Sequence, residues 1–415
     1  MNDLDKKLKE AKQASFEIAK LPAKEREALL LAIIHNLEKH KQEIFEANAL
    51  DVSQTKTKGA TNAFIDRLTL SEKGFAGMIS QLETVAHLPN VLDEIIEHRT
   101  LANGILLKKV RFPLGLIAMI YESRPNVTID AAGLCLKAGN AVVLKGGSEA
   151  ANTNRILVEC IHEALQNLHI SKAAVTLLDK ASHETVDEML TRNDLIDVVI
   201  PRGSYALTTA VAEKSRIPIL YHASGGARMY VDHNADRDQA LKICVNAKTN
   251  RTGVCNALDM VLVHKDIAED FLKKLDEILH TKQFETRADS EAKKYMQHAK
   301  PAEEKDFSTE FLDTILAVKV VSNSDEAIDF IKTHTHGHTE VLATKDDNVI
   351  NKFIHEIDAA GLMINCSSRL HDGGEFEMGA EMGTATGKLH ARGPVGAREL
   401  TTYKWIAFGN GQVKQ

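Results

Sequence analysis

The sequence predicts an α/β chain built on two parallel-sheet domains. Three observations carry this. Apolar, strand-like runs alternate with amphipathic helical ones from about residue 114 to residue 203, the rhythm of a parallel sheet with crossover helices. A second such series runs from "RMYVDH" through "DMVLVH" to "GLMINC". A length of 415 residues exceeds what one hydrophobic core serves and asks for two or three domains.

The elements follow in order. Leu4, Leu8, Phe16 and Ile18 recur at roughly helical spacing until Pro22 breaks the pattern. The run "KEREALLLAIIHNLEKHKQEIFEANALD" reads as one amphipathic helix, acidic early and basic late, as the helix dipole favours. Long helices dominate to about residue 90. In "EHRTLANGILLKKVRF" the pair Asn103-Gly104 separates two alternating apolar runs. It predicts a hairpin with a type I′ turn, whose two central positions both need positive φ. Next come a buried strand "LGLIAMIY", a helix "TIDAAGLCLKAG" closed by Gly139-Asn140, and a strand "AVVLKGG" ending in a glycine turn. The helix "ANTNRILVECIHEAL", the strand "AAVTLLD", the helix "SHETVDEMLTR" and the strand "IDVVIPRG", stopped by Pro201 and Gly203, complete the first series. Thr281 to Ser308, the most polar stretch, reads as solvated helix and loop without chemistry of its own.

Composition narrows the class. A hydrophobic share of 44% with 26% charged residues is the mix of a soluble globular protein. Five cysteines, odd in number and with no C-x-x-C spacing, argue against a disulfide framework or zinc ribbon and for a reducing cytoplasm. No metal is expected. The charged start "MNDLDKKLKEAKQ" is not a signal peptide, and no apolar run approaches the roughly 20 residues that span a bilayer. With a net charge of −7 and no basic block, neither nucleic acid nor membrane is an expected partner.

Five stretches could carry chemistry. In "NAKTNRTGVCNALDMVLV", Cys255 sits between a polar, basic shoulder and a buried strand. Lys248 and Arg251 lie near in sequence, and positive charge favours a thiolate nucleophile; a buried cysteine opening a strand reads the same way locally. "AVVLKGGSEA" delivers Lys145 to a strand's carboxyl end, where open α/β sheets bind ligands. "VVIPRGSYAL" sets Gly203-Ser204 at a second strand end opening toward a helix, whose free amides can receive phosphate. No G-x-G-x-x-G occurs. In "YESRPNVTIDAAG", Asn126 is either a helix cap or an amide aimed at an oxyanion. "KLHARGPVGARELTTYKWI" crowds cations into a solvated loop or an anion site.

Together "VRFPLGLIAMIYESRPNVTIDAAGLCLKAGNAVVLKGG", "IPRG", "VNAKTNRTGVCN" and "LHARGPVGARELTTYKWI" resemble the gamma-glutamyl phosphate reductase family of the aldehyde dehydrogenase superfamily, in matching order over nearly the whole chain. The resemblance implies an aldehyde dehydrogenase-like fold: a cofactor-binding domain over residues 1–222, including the hairpin near 95–112; a catalytic domain over 223–370; and a C-terminal return over 371–415. The hairpin and the final strand would form a small oligomerisation flap.

It also implies roles. Cys255 is the catalytic thiol and Asn126 the oxyanion donor. Lys145 holds the adenosine ribose. Ser148, where NAD-preferring relatives often carry a glutamate, implies NADP(H). Gly203 and Ser204 match the pyrophosphate turn, and Glu310 the glutamate that steadies the nicotinamide ribose. Arg124, His390 and Arg392 are candidates for substrate binding. The implied reaction is attack of Cys255 on L-glutamyl 5-phosphate, loss of phosphate, and reduction of the thioester to L-glutamate 5-semialdehyde, the second step from glutamate to proline. A homo-oligomer and functional coupling with glutamate 5-kinase come with the resemblance. Ala227-Arg228 stands where the family often has Cys-His, and no function is attached to it. Between Glu213 and Asp232 there is no carboxylate, so a water attacking the thioester has no base in that segment except His222. The alternatives are a hydrolytic or coenzyme A-linked aldehyde dehydrogenase, or a silent oligomeric binding protein.

Overall fold

A computed structural model describes residues 2–179, 181–221 and 224–414; nothing is stated of the side chain of residue 63. Five helices open the chain: α1 (Asp3–Ile18), α2 (Ala23–Lys39), α3 (Lys41–Thr57), α4 (Asn62–Leu68) and α5 (Glu72–His87). The single helix expected over residues 24–51 is thus two. The break falls at His40, whose ring nitrogens face Glu43 at 2.9 Å and Glu163 at 3.0 Å.

The hairpin forms from β1 (Ile95–Thr100) and β2 (Leu106–Pro113). Its turn differs from expectation. Only Gly104 has positive φ (84°), not Asn103, and Gly104 N–H donates to Leu101 O at 2.9 Å. A single left-handed glycine closing a wider loop replaces the type I′ turn.

The first parallel sheet holds β3 (Leu116–Tyr121), β4 (Ala141–Lys145), β5 (Val175–Leu177) and β6 (Val198–Arg202), in the order β5-β4-β3-β6. Its crossovers are α6 (Pro125–Lys137), α7 (Ala151–Asn167) and α8 (His183–Leu190), and α9 (Tyr205–Lys214) follows β6. Every residue of β3 is buried. Ile117 and Met119 pack on one face with Leu29, Phe75 and Leu134, and Leu116, Ala118 and Ile120 on the other with Leu8 and Val211. That two-sided burial is why the strand reads as an unbroken apolar run.

The second series contains β7 (Ala227–Val231), α10 (Arg237–Thr249), β8 (Leu258–His264), α11 (Lys265–Thr281), β9 (Glu285–Ala288), β10 (Lys300–Pro301), β11 (Ile315–Val321), α12 (Ser324–His334), β12 (Thr339–Ala343), α13 (Asp347–Glu356) and β13 (Gly361–Ile364). The seven strands form one parallel sheet, β10-β9-β11-β8-β7-β12-β13. The stretch read as solvated helix and loop therefore supplies the edge strand β10 and its neighbour β9. Only part of β9 and none of β10 is buried, so the apolar signal is weak. After the short pair β14 (Thr384–Ala385) and β15 (Gly393–Pro394), β16 (Thr401–Phe408) returns to β2 and completes a three-stranded antiparallel flap, β1-β2-β16.

Candidate active site

A cavity of about 870 Å³ lies where the carboxyl ends of β3 and β6 meet the loops preceding β8, β11 and β14. Cys255, Asn126, Arg124, Gly203, Ser204 and Glu310 all line it. Six residues spread over nearly two hundred positions of chain are brought to one wall by the two sheets.

Cys255 sits in the loop between α10 and β8 and is partly buried. The loop is pinned from two sides. Gly226 N–H donates to Cys255 O at 2.6 Å. Asn256 donates to His371 O at 3.0 Å, and Ser368 Oγ donates to Asn256 O at 2.6 Å. A Cβ on Gly225 would lie 2.6 Å from Cys255 Cβ and 2.5 Å from Glu310 Oε1, so glycine is what lets Glu310 and the thiol approach from opposite sides. Burial pushes the Cys255 thiol up to about 11; Arg202 works against this, and Glu381 and Glu310 add to it.

The cation beside the thiol is not one of the two its sequence neighbourhood offered. Lys248 is buried against Asp259 at 3.3 Å and is spent there. Arg202, at the end of β6, takes that place. It had been passed over as part of "IPRG", although its position at a strand's carboxyl end marks it.

Asn126 is not a helix cap. It lies inside the first turn of α6, after Arg124 at the N-cap position, and its amide donates to Asp130 one turn on at 3.0 Å. Burial pushes Asp130 up to about 7, with Asn126 and Arg202 opposing. Arg124 is held below its ordinary value by burial first, then by Arg202, Arg67 and Arg251. All four line the cavity, as does Arg369. A group of arginines this close repels itself until an anion arrives, and forked guanidinium donors suit phosphate and carboxylate. Arg67 on α4, Arg251 after α10 and Arg369 in a short 3-10 turn after β13 come from three distant parts of the chain, so no local pattern joins them.

The cofactor candidates divide. Gly203 and Ser204 line the cavity, and Ser204 N–H donates to Glu122 Oε1 at 2.8 Å. A Cβ on Gly203 would meet Leu207 at 2.7 Å and Glu122 at 2.8 Å, so this strand-to-helix turn requires glycine. Lys145, the last residue of β4, and Ser148 just beyond it do not line the cavity. Lys145 donates to Gly146 O at 2.7 Å. Burial holds it below its ordinary value, and Glu149 opposes this. Glu149 turns inward, its carboxylate accepting from Ser123 Oγ at 2.6 Å. Although burial works against it, hydrogen bonds from Ser123 and Ser148 hold Glu149 below the usual carboxylate range. Glu310 accepts from Ser224 Oγ at 3.0 Å.

Two candidates are not brought to the cavity. His390 is exposed and its Nε2 pairs with Glu399 O at 3.0 Å. Arg392 pairs with Asp358 at 2.7 Å and donates to Thr386 O at 3.1 Å. Lys388 also pairs with Asp358, and Arg398 with Glu94 at 2.5 Å. The cation-rich motif is therefore internally neutralised, which a charge count along the chain cannot reveal. His222 lies outside the described residues. Arg228 is buried, with its backbone N–H on Glu340 and its guanidinium on Gly226 O at 3.1 Å, a brace beneath the Gly225-Gly226 turn. Among the described residues no group of three or more potential metal ligands occurs, and no helix is long and apolar enough to cross a membrane.

Comparison with known proteins gives the class first. Residues 1–296 match the aldehyde dehydrogenase family. Gamma-glutamyl phosphate reductase from Dictyoglomus thermophilum is 43% identical over 415 residues, all of both chains. The crystal structure of gamma-glutamyl phosphate reductase from Thermotoga maritima superimposes with a TM-score of 0.97 at 39% identity, again over all of both chains. A glyceraldehyde-3-phosphate dehydrogenase from Methanocaldococcus jannaschii complexed with NADP, 17% identical with a TM-score of 0.67 over 98% of this chain and 94% of that one, shares the fold alone. The chain belongs to the aldehyde dehydrogenase family and, within it, to the gamma-glutamyl phosphate reductases. It is an oxidoreductase acting on L-glutamyl 5-phosphate to give L-glutamate 5-semialdehyde, a step of proline biosynthesis.

Proposed function

We propose that Cys255 is the nucleophile of this reduction, that Asn126 donates to the oxyanion, and that the arginines around Arg124 and Arg202 hold the phosphate and α-carboxylate of the substrate. The observation that carries the reading is the meeting of a thiol, an amide held by Asp130 and an arginine group in one cavity. The Cys255 sulfur attacks the acyl carbon, with Arg202 favouring the thiolate. The Asn126 amide, steadied by Asp130, donates to the oxygen on which charge develops. The C–O bond to phosphate breaks, and the arginines take the departing anion. A thioester remains on Cys255. A bound nicotinamide supplies the hydride. The resulting hemithioacetal on Cys255 collapses, releasing the aldehyde and restoring the thiol.

The cofactor is proposed to be NADP(H). The turn at Gly203-Ser204 opens α9 and fits a pyrophosphate. The family resemblance assigns Lys145 and Ser148 to the adenosine ribose and its 2′-phosphate, and Glu310, tied to Ser224, to the nicotinamide ribose. Glu149, beside Lys145 and Ser123, is a carboxylate that would oppose a 2′-phosphate there. The domain division at residues 222/223 and 370/371, homo-oligomerisation through the flap, a cytoplasmic location and functional coupling with glutamate 5-kinase belong to the same proposal.

Replacing the thiol tests it. Cys255→Ser should abolish turnover while NADPH still binds, read as fluorescence enhancement on mixing, because a serine hydroxyl has no pKa near neutrality. Activity above a few per cent of the parent would reject Cys255, and a Cys244 variant that lost activity instead would transfer the role.

A further inference from the structure

The substrate carries an α-ammonium as well as two anionic ends, and the cavity's arginines cannot receive a cation. A carboxylate must. Several line the cavity, and most are committed elsewhere. Glu122 accepts from Ser204 N–H, Asp130 from Asn126, and Glu310 from Ser224. Asp66 is exposed. Glu381 is the one of these that acts electrostatically on Cys255 without holding Asn126, the Ser204 turn or Ser224. It lines the cavity, partly buried, in the loop between β13 and β14. Oε2 accepts from Gly373 N–H at 2.9 Å, and among the described residues no hydrogen bond to Oε1 occurs. A Cβ on Gly373 would come 2.9 Å from Glu381 Cβ, so the loop is shaped around this side chain.

Its electrostatic surroundings fit a group awaiting a cation. Burial raises the Glu381 carboxyl, Arg202 opposes, and the neighbouring Asp372 raises it further. Glu381 also acts on Cys255, raising the thiol. The carboxylate is therefore within electrostatic reach of the reacting sulfur, as the short chain between the acyl carbon and the α-carbon requires.

We propose that Glu381 accepts the substrate's α-ammonium group and that this pairing removes an unbalanced negative charge from beside Cys255. Recognition of the amino acid and activation of the thiol are then one event. The assignment rests on Cys255 being the nucleophile.

The test compares two aldehydes in the reverse reaction with phosphate and NADP: glutamate 5-semialdehyde and 5-oxopentanoate, which keeps the aldehyde, the chain length and the carboxylate and lacks only the α-amino group. For Glu381→Gln the ratio of kcat/KM between them should fall at least about tenfold, the effect of losing one charge-assisted hydrogen bond. Alkylation of Cys255 by iodoacetamide in the free enzyme, located by mass spectrometry, should become faster. Glu381→Asp, which keeps the charge, should retain the amino preference in large part and alkylate at the parent rate. Equal losses on both aldehydes, an unchanged ratio, or an unchanged alkylation rate in Glu381→Gln would overturn the proposal. Cys255→Ser run alongside keeps the two claims apart: turnover of either aldehyde by that variant refutes the nucleophile, whatever Glu381 does.

Discussion

Asp130 and Glu149 are two carboxylates whose surroundings, more than their position in sequence, set what they do. Asp130 is pushed up to about 7 by burial, so the folded chain holds its proton where the unfolded chain releases it. Stability therefore falls as pH rises from the ordinary aspartate range to about 7, and stays lower above it. Asp130→Asn removes this share. The expected outcome is a smaller loss of Tm between about pH 5 and about pH 8 in the variant, measured by thermal unfolding; a loss equal to the parent's would show that Asp130 titrates normally. Glu340, also pushed up to about 7 by burial, contributes the same slope in both proteins. Glu149 faces Lys145 and Ser123 and should hold back a 2′-phosphate. Glu149→Gln should raise the NADPH to NADH ratio of kcat/KM by about tenfold, on the order of one charge-assisted contact; a lower ratio would mean that the carboxylate does not face the ribose.

At the scale of elements, the flap is the part proposed to meet a second chain. Tyr403 and Trp405 on β16 are about half exposed, at 49% and 47%, and Lys109 of β2 lies 3.8 Å from the Tyr403 ring. An antiparallel sheet with exposed aromatics on an edge ribbon is a surface made for association. Trp405→Glu should shift the protein toward a smaller species by light scattering, with little change in Tm of the monomeric unit. An unchanged mass would remove β16 from the interface.

The elements were largely legible because β3, β4, β7 and β8 are buried on both faces and read as apolar runs. β9 and β10 are not legible because they are short, and only part of β9 and none of β10, the edge strand, is buried. The thiol, Asn126 and Gly203-Ser204 were legible because each stands at a strand end or helix start. Arg202, Asp130 and Glu381 were not, since their meaning comes from neighbours far away in the chain. His390 and Arg392 looked like anion binders because Asp358, their region's counter-charge, lies more than thirty residues upstream of Arg392.

For the whole molecule, the fold brings a thiol, an amide and a group of arginines to one cavity, and in the proposed mechanism the partition of the thioester between phosphate and water is the defining step. The segment from Glu213 to Asp232 holds no carboxylate, but the fold supplies Glu310 from elsewhere, held by Ser224 and within electrostatic reach of Cys255. In the proposed role of Glu310 at the cofactor ribose, that carboxylate is not available to activate water, a loss of typically 10²–10⁴-fold, whereas inorganic phosphate is already ionised. The most direct measurement follows NADP reduction by glutamate 5-semialdehyde with and without inorganic phosphate. An acyl-phosphate reductase using the Cys255 thioester gives a rate that requires phosphate and falls to a small residue without it. A sustained phosphate-independent rate, with free glutamate as product and lost on Glu310→Gln, would contradict it and make Glu310 a hydrolytic base.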